Sequence, residues 1–507
     1  MGAEVKPGSA RKRVEILNYR PVAYAATALA TGILFAAIFR DSGIGMLCVT
    51  VAAFAAAVFA FIRKMRVLRI VATAVFAGII LFFVSFNAGS VTPGYAENAY
   101  IEGRVCAVTS YGDGYSLYTV EDLSVNGEGV AKKASVKSSE KLETGDLVAI
   151  YGNIESFELD PFDPYSMSYY RKDVRHKVEA VAISVEGKSD LKFFELIRVT
   201  LADRFTTYMG EDAGALALGL TVGDKAFIDY DTEEAVRASG LSHLLAVSGL
   251  HVGFLSGIVY FFLRLLRRPK TSALLAVALV LLGYGFVTGF PAGVVRAAVT
   301  SICFLYALKK EERFDSVNAL SLSVIVLLAA APMSLFDIGF LMSVSAVLGI
   351  LAFYTAIRKC FYSEGKLASF LASSVAVSLS ANTLLIGISA SVFGTFALYF
   401  VIANVIAVPY ISLIYFFLVP ISLFALIIPP IGYLLIPFKY LLQGFIYFSQ
   451  FISALPFATL EVRVSSAVAA VYSLAVLFVS KFNLLPKKVK IAYAGVSGAV
   501  IALLIVL

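Results

Sequence analysis

Tryptophan is absent from this chain of 507 residues, and only three histidines and four cysteines occur. Without tryptophan, tyrosine and phenylalanine must supply any interfacial aromatic belt. The cysteines, Cys48, Cys106, Cys303 and Cys360, are scattered with no CxxC pair. Neither a disulfide framework nor a zinc site is therefore indicated, and no cofactor is expected. No GxxxxGK[ST] stretch exists, so the chain has no nucleotide-binding loop of its own. Charge is scarce as well. Lys, Arg, Asp and Glu make up 15% of the residues, against about 25% in soluble domains. The net charge of +7 does not by itself point to nucleic acid, because excess Lys and Arg in such chains mark cytoplasmic loops.

What remains is apolar. Hydrophobic residues reach 59% and the mean hydropathy is +0.84. The apolar runs are about 17 to 24 residues long, the length of membrane helices. The expected fold is a polytopic α-helical membrane protein with about 13 spans and an inserted β domain. Spans are expected at 21–39, 44–62, 70–86, 272–290, 292–308, 316–331, 335–357, 367–390, 393–408, 410–428, 464–480 and 489–507. A further one opens in 239–257 and ends at the basic run Arg264, Arg267, Arg268 and Lys270. Segment 432–455 carries Lys439, Gln443 and Gln450 on one helical face and is expected at the outer interface. The basic N-terminus and the run Arg63, Lys64, Arg66 and Arg69 place both cytoplasmically, which sends 91–190 and the C-terminus outside.

Between 91 and 190 hydropathy collapses into short alternating strands punctuated by Gly, Asp and Asn turns, the pattern of a small OB-like barrel. This domain carries 17 Asp and Glu against 10 Lys and Arg over 95–190, which opposes a basic groove for nucleic acid. Tyr111, Tyr115, Tyr118, Phe157, Tyr165, Tyr169 and Tyr170 are candidate base-stacking residues or, equally, core and rim. His176 lies in a Pro- and Tyr-rich insertion. Four regions result: 1–90 with the cytoplasmic tail and three spans, 91–190 the outer β domain, 191–240 interfacial amphipathic helices, and 241–507 the main membrane domain.

The stretch 239–257, SGLSHLLAVSGLHVGFLSG, holds His243 and His251 and a ladder of Gly249, Gly253 and Gly257. On one helix that ladder lets a neighbour pack closely. Ser248 and His251 share a face. The histidines are either packed core groups or line a path. Ser248 with His251 also admits a nucleophile–base reading, although no acidic orienter lies nearby.

GLSHLLAVSGLHVG, preceded by GLTVGDK at 219–225, resembles the signature of the ComEC family of competence proteins, the membrane channels of bacterial DNA uptake. Further stretches resemble that family in the same order. They are FPAGVVRAAVT with Arg296, the segment holding Pro332, Asp337, Gly339, Phe340 and Ser343, and FGTFALYFVIANVIAVP with Asn404 and Pro409. The resemblance implies passage of single-stranded DNA across the bacterial plasma membrane, served by a separate DNA receptor, ATPase motor and nuclease. His243, Ser248, His251, Arg296, Asp224 and Asn404 then become candidates for the path. Arg296 either meets phosphates or pairs with Asp337 or Asp224, and Asp224 and Lys225 form a local pair at the outer rim. Asn382 and Asn404 are expected to bond between helices. Many members continue into a metallo-β-lactamase-like domain. With three histidines and no H-x-H-x-D-H cluster, the chain is read as a short form without that site, and not as an enzyme. A secondary transporter of another solute, or an intramembrane hydrolase, are the alternatives.

Overall fold

A computed structural model describes residues 20–91, 94–110, 114–361 and 364–480. Three apolar helices open it: α1 (Pro21–Ile38), α2 (Gly43–Ile62) and α3 (Arg66–Gly89). Helices α1 and α3 cross with their backbones nearly touching. A side-chain carbon on Gly32 would strike the Val75 backbone, and one on Gly78 the Leu29 backbone. Close approach through small residues is how helices gain contact in lipid, where the hydrophobic effect between them is lost.

The β domain follows: β1 (Gly94–Ser110), β2 (Ser116–Val125), β3 (Glu128–Gly129), β4 (Lys133–Ser138), β5 (Asp146–Ser156), α4 (Pro164–Arg171) and β6 (Val174–Lys188). The strand order is β1-β5-β6-β4-β2, and β2 pairs back onto β1, which closes the sheet. The β4–β6 pair is parallel and the others antiparallel. Ile101, Val105, Val120, Val136 and Ile150 fill the interior, as the period-2 alternation of their strands dictates. The insertion histidine, His176, is a satisfied core group: Nδ1 meets Ser156 Oγ at 2.8 Å and Nε2 the Ala131 carbonyl at 3.1 Å.

The helical domain comprises α5 (Phe193–Met209), α6 (Glu211–Val222), α7 (Tyr230–Ala238), α8 (Ser242–Leu245), α9 (Gly249–Leu265), α10 (Lys270–Thr288), α11 (Ala292–Lys310) and α12 (Ser316–Ala330). It continues with α13 (Ile338–Cys360), α14 (Lys366–Val392), β7 (Thr395–Ala397), α15 (Phe400–Ile427), α16 (Ile436–Ser453), β8 (Thr459–Glu461) and α17 (Ser466–Val479). Among the described residues, nine helices are long and apolar enough to cross a membrane, and α9, α12 and α17 are shorter apolar helices.

Several expectations change. The spans drawn at 393–408 and 410–428 are one helix, α15, with Pro409 and Pro420 inside it. Proline is tolerated there because packing in a membrane bundle replaces the missing hydrogen bond. Residues 395–397 instead form β7, paired with β8. Segment 432–455, expected at the interface, contributes to a helical stretch 429–453 that is itself long enough to cross, and Leu442, Phe445 and Ser449 bury one side of it. Helix α6 is not amphipathic: every residue from Ala213 to Val222 is buried. The stretch 239–257 is not a single helix but is broken between α8 and α9. The span expected at 489–507 lies outside the described residues.

Two arginines fasten the barrel. Arg175, 1% exposed, donates from Nε to the Gly89 carbonyl at 2.6 Å at the end of α3, and its guanidinium lies 4.5 Å over the Tyr170 ring. Arg104 donates to Glu121 at 2.7 Å and to Glu195 of α5, so it joins strand β1 to the first helix beyond the barrel. Lys192 and Lys133 reach the same Glu121 at 2.6 and 2.9 Å. Burial alone would raise the Glu121 carboxyl, but these two ammonium groups hold it down to about 2.

Arg104→Met leaves Glu195 without its cation and should cost about 3–5 kcal/mol near neutral pH. Burial would raise the Glu195 carboxyl, but Arg104 holds it below its unfolded value of about 4.3, so the Arg104 contribution is fully present above that value and is lost as pH falls through the lowered folded value. Thermal unfolding of both proteins from about pH 6 to about pH 2.5 tests this, and the wild-type advantage should shrink across that window. An advantage that stays constant would contradict the network.

Candidate functional site

The motif residues converge on the unwound segment between α8 and α9. Ala246 and Ser248 are both extended, with ψ of 138° and 170°. Ser248 is a residue type that starts helices, and the neighbouring helices close on the residue before it. Helix α6 ends at Gly223, whose φ of +78° is the left-handed conformation glycine favours at a helix C-terminus. A side-chain carbon there would come within 2.8 Å of Val247. From the other side, a carbon on Gly293, in the first turn of α11, would sit 3.4 Å from the Val247 carbonyl. The GLTVGDK, SHLLAVSGLHVG and FPAGVVRAAVT stretches thus meet at one residue, Val247.

Ser248 is the N-cap of α9. Its backbone N–H donates to His251 Nδ1 at 3.1 Å, the reach-back that Glu or Gln makes in a capping box. Nδ1 is therefore an acceptor, and a neutral ring carries its proton on Nε2. That nitrogen is buried and has no hydrogen-bond partner among the described residues. The His251 ring is wholly buried and stacks on Tyr415 of α15 with centroids 4.2 Å apart. Tyr415 Oη lies 3.4 Å from Tyr284 Oη, and Tyr284 donates to the Thr221 carbonyl at 2.9 Å. Ser248 and His251 are not arranged as nucleophile and base, since Nδ1 is occupied by a backbone N–H.

Arg296 of α11 lies beside this break. Its Nε donates to Ser343 Oγ on α13 at 2.7 Å. A carbon on Gly249 would come within 2.9 Å of Arg296 Nη2, so the guanidinium rests against the N-terminal end of α9. Among the described residues Ser343 is the one hydrogen-bond partner found for it, and no carboxylate pairs with it. Asp337 instead caps α13 through the Phe340 N–H at 3.0 Å and lies 3.5 Å from Arg171 of the β domain. His243, on α8, is exposed. Ser242 and Ala246 are exposed beside it in sequence.

The other candidates stand apart. Asp224 accepts the Ala226 N–H at 3.0 Å in the α6–α7 loop, and burial pushes its carboxyl up. Lys225 pairs with Glu233 at 3.6 Å rather than with Asp224. Asn404 donates to Ser378 Oγ at 3.2 Å between α15 and α14, whereas Asn382 bonds within its own helix, to the Ser378 carbonyl. The glycine ladder does not act as one face: Gly253 and Gly257 have open space where a side chain would go. Tyr415, Tyr284 and the Thr221 carbonyl were not foreseen, because no spacing rule links residues this far apart in sequence. Among the described residues, no cluster of three or more His, Cys, Asp or Glu could hold a metal ion.

A family profile described as "Competence protein" matches residues 220–486, more than half of the chain. The chain belongs to the competence protein family. All the residues around Val247, from Thr221 to Tyr415, fall inside that match. ComE operon protein 3 of Bacillus subtilis is 33% identical over 185 residues, which is 35% of this chain and 23% of that relative. Recombination protein 2 of Haemophilus influenzae is 25% identical over 147 residues, or 27% of this chain and 18% of that relative. The aligned part is thus less than a quarter of either relative. No solved structure matches significantly.

Within this competence-family core, the three ladder glycines should respond differently to alanine. Gly253→Ala and Gly257→Ala meet open space and gain helix propensity, so stability should hold or rise by up to about 1 kcal/mol. Gly249→Ala must displace the Arg296 guanidinium while the fold survives, because the far end of a flexible side chain can move aside. Thermal unfolding of the purified variants, with a functional assay beside it, tests this. Equal damage from all three would restore the ladder as a packing face.

Proposed function

We propose that the chain passes a single strand of DNA across the plasma membrane, with the unwound segment between α8 and α9 on the path. The observation that carries this reading is Arg296. It is a guanidinium inside the helical domain, held by one hydroxyl, with no carboxylate on it, and set against the N-terminal end of a 17-residue helix. A helix N-terminus and a guanidinium both attract phosphate. A strand presents a charge about every 3.4 Å, and conduction needs attraction weak enough to release each one. One arginine, already sharing its Nε with Ser343, suits that requirement better than a basic cluster. On this reading His243, Ser242 and Ala246, all exposed, line a concavity at the break.

The closed strand order of the β domain, with its parallel β4–β6 pair, supports reading it as OB-like. The basic loops favour a cytoplasmic N-terminus, with the barrel and the C-terminus outside. About a dozen spans, with 191–240 as the collar between barrel and bundle, complete the arrangement. With no nucleotide-binding loop in the chain, a separate motor, receptor and nuclease drive and feed the channel. A secondary transporter of another solute is the second reading. The broken helix favours it, since such carriers place their sites at discontinuous helices.

Uptake of labelled DNA into cells lacking the chain, then restored with wild type, Arg296→Lys or Arg296→Ala, separates the two. Deletion should abolish internalisation while surface-bound DNA remains. Arg296→Ala should lower uptake by about 10- to 100-fold at normal protein level, the value of a lost charge-assisted contact, and Arg296→Lys should retain part of it. Unchanged transformation on deletion would sink the channel, and loss of saturable small-solute uptake without DNA dependence would favour the transporter.

A further inference from the structure

The aromatic residues that the sequence offers for base stacking are mostly engaged. Tyr118 is core at 2% exposure, Phe157 and Tyr169 pack together at 5.4 Å, Tyr170 lies beneath Arg175, and Tyr115 lies under Lys137. Tyr111 and the Tyr165 side chain lie outside the described residues. A different set faces outward. Tyr100 of β1 sits directly across from Tyr151 of β5, and Tyr151 from Ala182 of β6. Their strand neighbours Ala99, Ile101 and Ile150 are fully buried, so alternation turns both rings to the outside, at 44% and 45% exposure. Tyr95, Val181 and Val185 are also exposed.

Carboxylates frame this patch. Tyr100 Oη donates to Glu186 at 3.1 Å, and Glu102 lies two residues along the same outward row. Glu155 is paired in register with Tyr95, and Glu179 follows on β6 opposite Asn153. The bases near it are engaged elsewhere: Lys177, opposite Glu155, lies over the rings of Phe157 and Tyr169, and Lys188 pairs with Glu143. The fastening at Arg104 begins two residues along β1 from Glu102, and that at Arg175 lies at the start of β6, while Tyr100 and Tyr151 between them stay exposed.

We infer that the outward β1–β5–β6 face docks a lysine- and arginine-rich segment of a second protein rather than a nucleic-acid strand. Exposed tyrosine faces attract cations, and the surrounding carboxylates supply charge-assisted acceptors while repelling phosphates. The domain's excess of 17 acidic over 10 basic side chains across 95–190 extends the same field. This inference goes beyond strand passage and stands if that reading fails.

The test uses the full chain in zwitterionic nanodiscs, with a fluorescent 16-residue alternating Lys-Gly peptide and a fluorescent 20-mer of thymidine as probes. The variants are Tyr100→Ala with Tyr151→Ala, Glu102→Gln with Glu186→Gln, and, as a control outside the β domain, Glu211→Gln with Asp212→Asn at the exposed start of α6. Both patch variants should weaken the peptide by about tenfold or more, the control should change it less than about twofold, and the oligonucleotide should be indifferent to all three. No peptide binding, or equal weakening by the control, overturns the inference. So does an oligonucleotide that binds, is lost on removing the tyrosines and tightens on neutralising the glutamates, for the face would then be a base-stacking platform.

Discussion

The break between α8 and α9 at Ala246, Val247 and Ser248 governs the packing around it, since backbone groups that leave a helix need other partners. Much of the surrounding architecture accommodates it. Gly223 and Gly293 let α6 and α11 close on Val247 from two sides. His251 folds back to accept the Ser248 N–H, and Tyr415 packs flat on its ring. The break in turn creates a helix start in the interior, and Arg296 lies against it. A continuous helix through this stretch would not have offered that helix end.

The β domain is fixed to the bundle at separate points. Arg175 reads the backbone at the exit of α3, Arg104 bridges to α5, and Arg171 approaches Asp337 at the cap of α13. Since α13 also carries Ser343, the partner of Arg296, the barrel and the unwound segment touch the same helix. That continuity links the β domain to the unwound segment through a helix rather than through a loop.

Much of the outline was legible from residue patterns. Alternating strands with Asn-Gly and Gly-rich bends marked the barrel, and Asn126 and Gly127 do take the positive φ that the β2–β3 turn needs. Hydropathy located most helices within a few residues. Proline misled at Pro409, where bundle packing overrides a signal that ends helices in water. The break at Val247 was only half legible: Ser248 is a residue type that starts helices, but Gly223 and Gly293, which pack against Val247, lie one motif upstream and one downstream. The pairing of Arg296 with Ser343, and not with Asp337, was hidden for the same reason, since a sequence ranks partners by charge and the fold ranks them by reach.

The central claim is that the concavity at the unwound segment is where a strand passes. Cysteine placed at exposed Ala246, in a chain with Cys48, Cys106, Cys303 and Cys360 replaced by serine, should cross-link to a bromoacetyl-labelled single strand stalled during uptake. The same replacement at Leu275, an exposed residue on the apolar surface of α10, should not. A cross-link at 246 alone is the predicted result. Equal labelling at both positions, or labelling at 275 alone, would place the strand elsewhere and contradict the account.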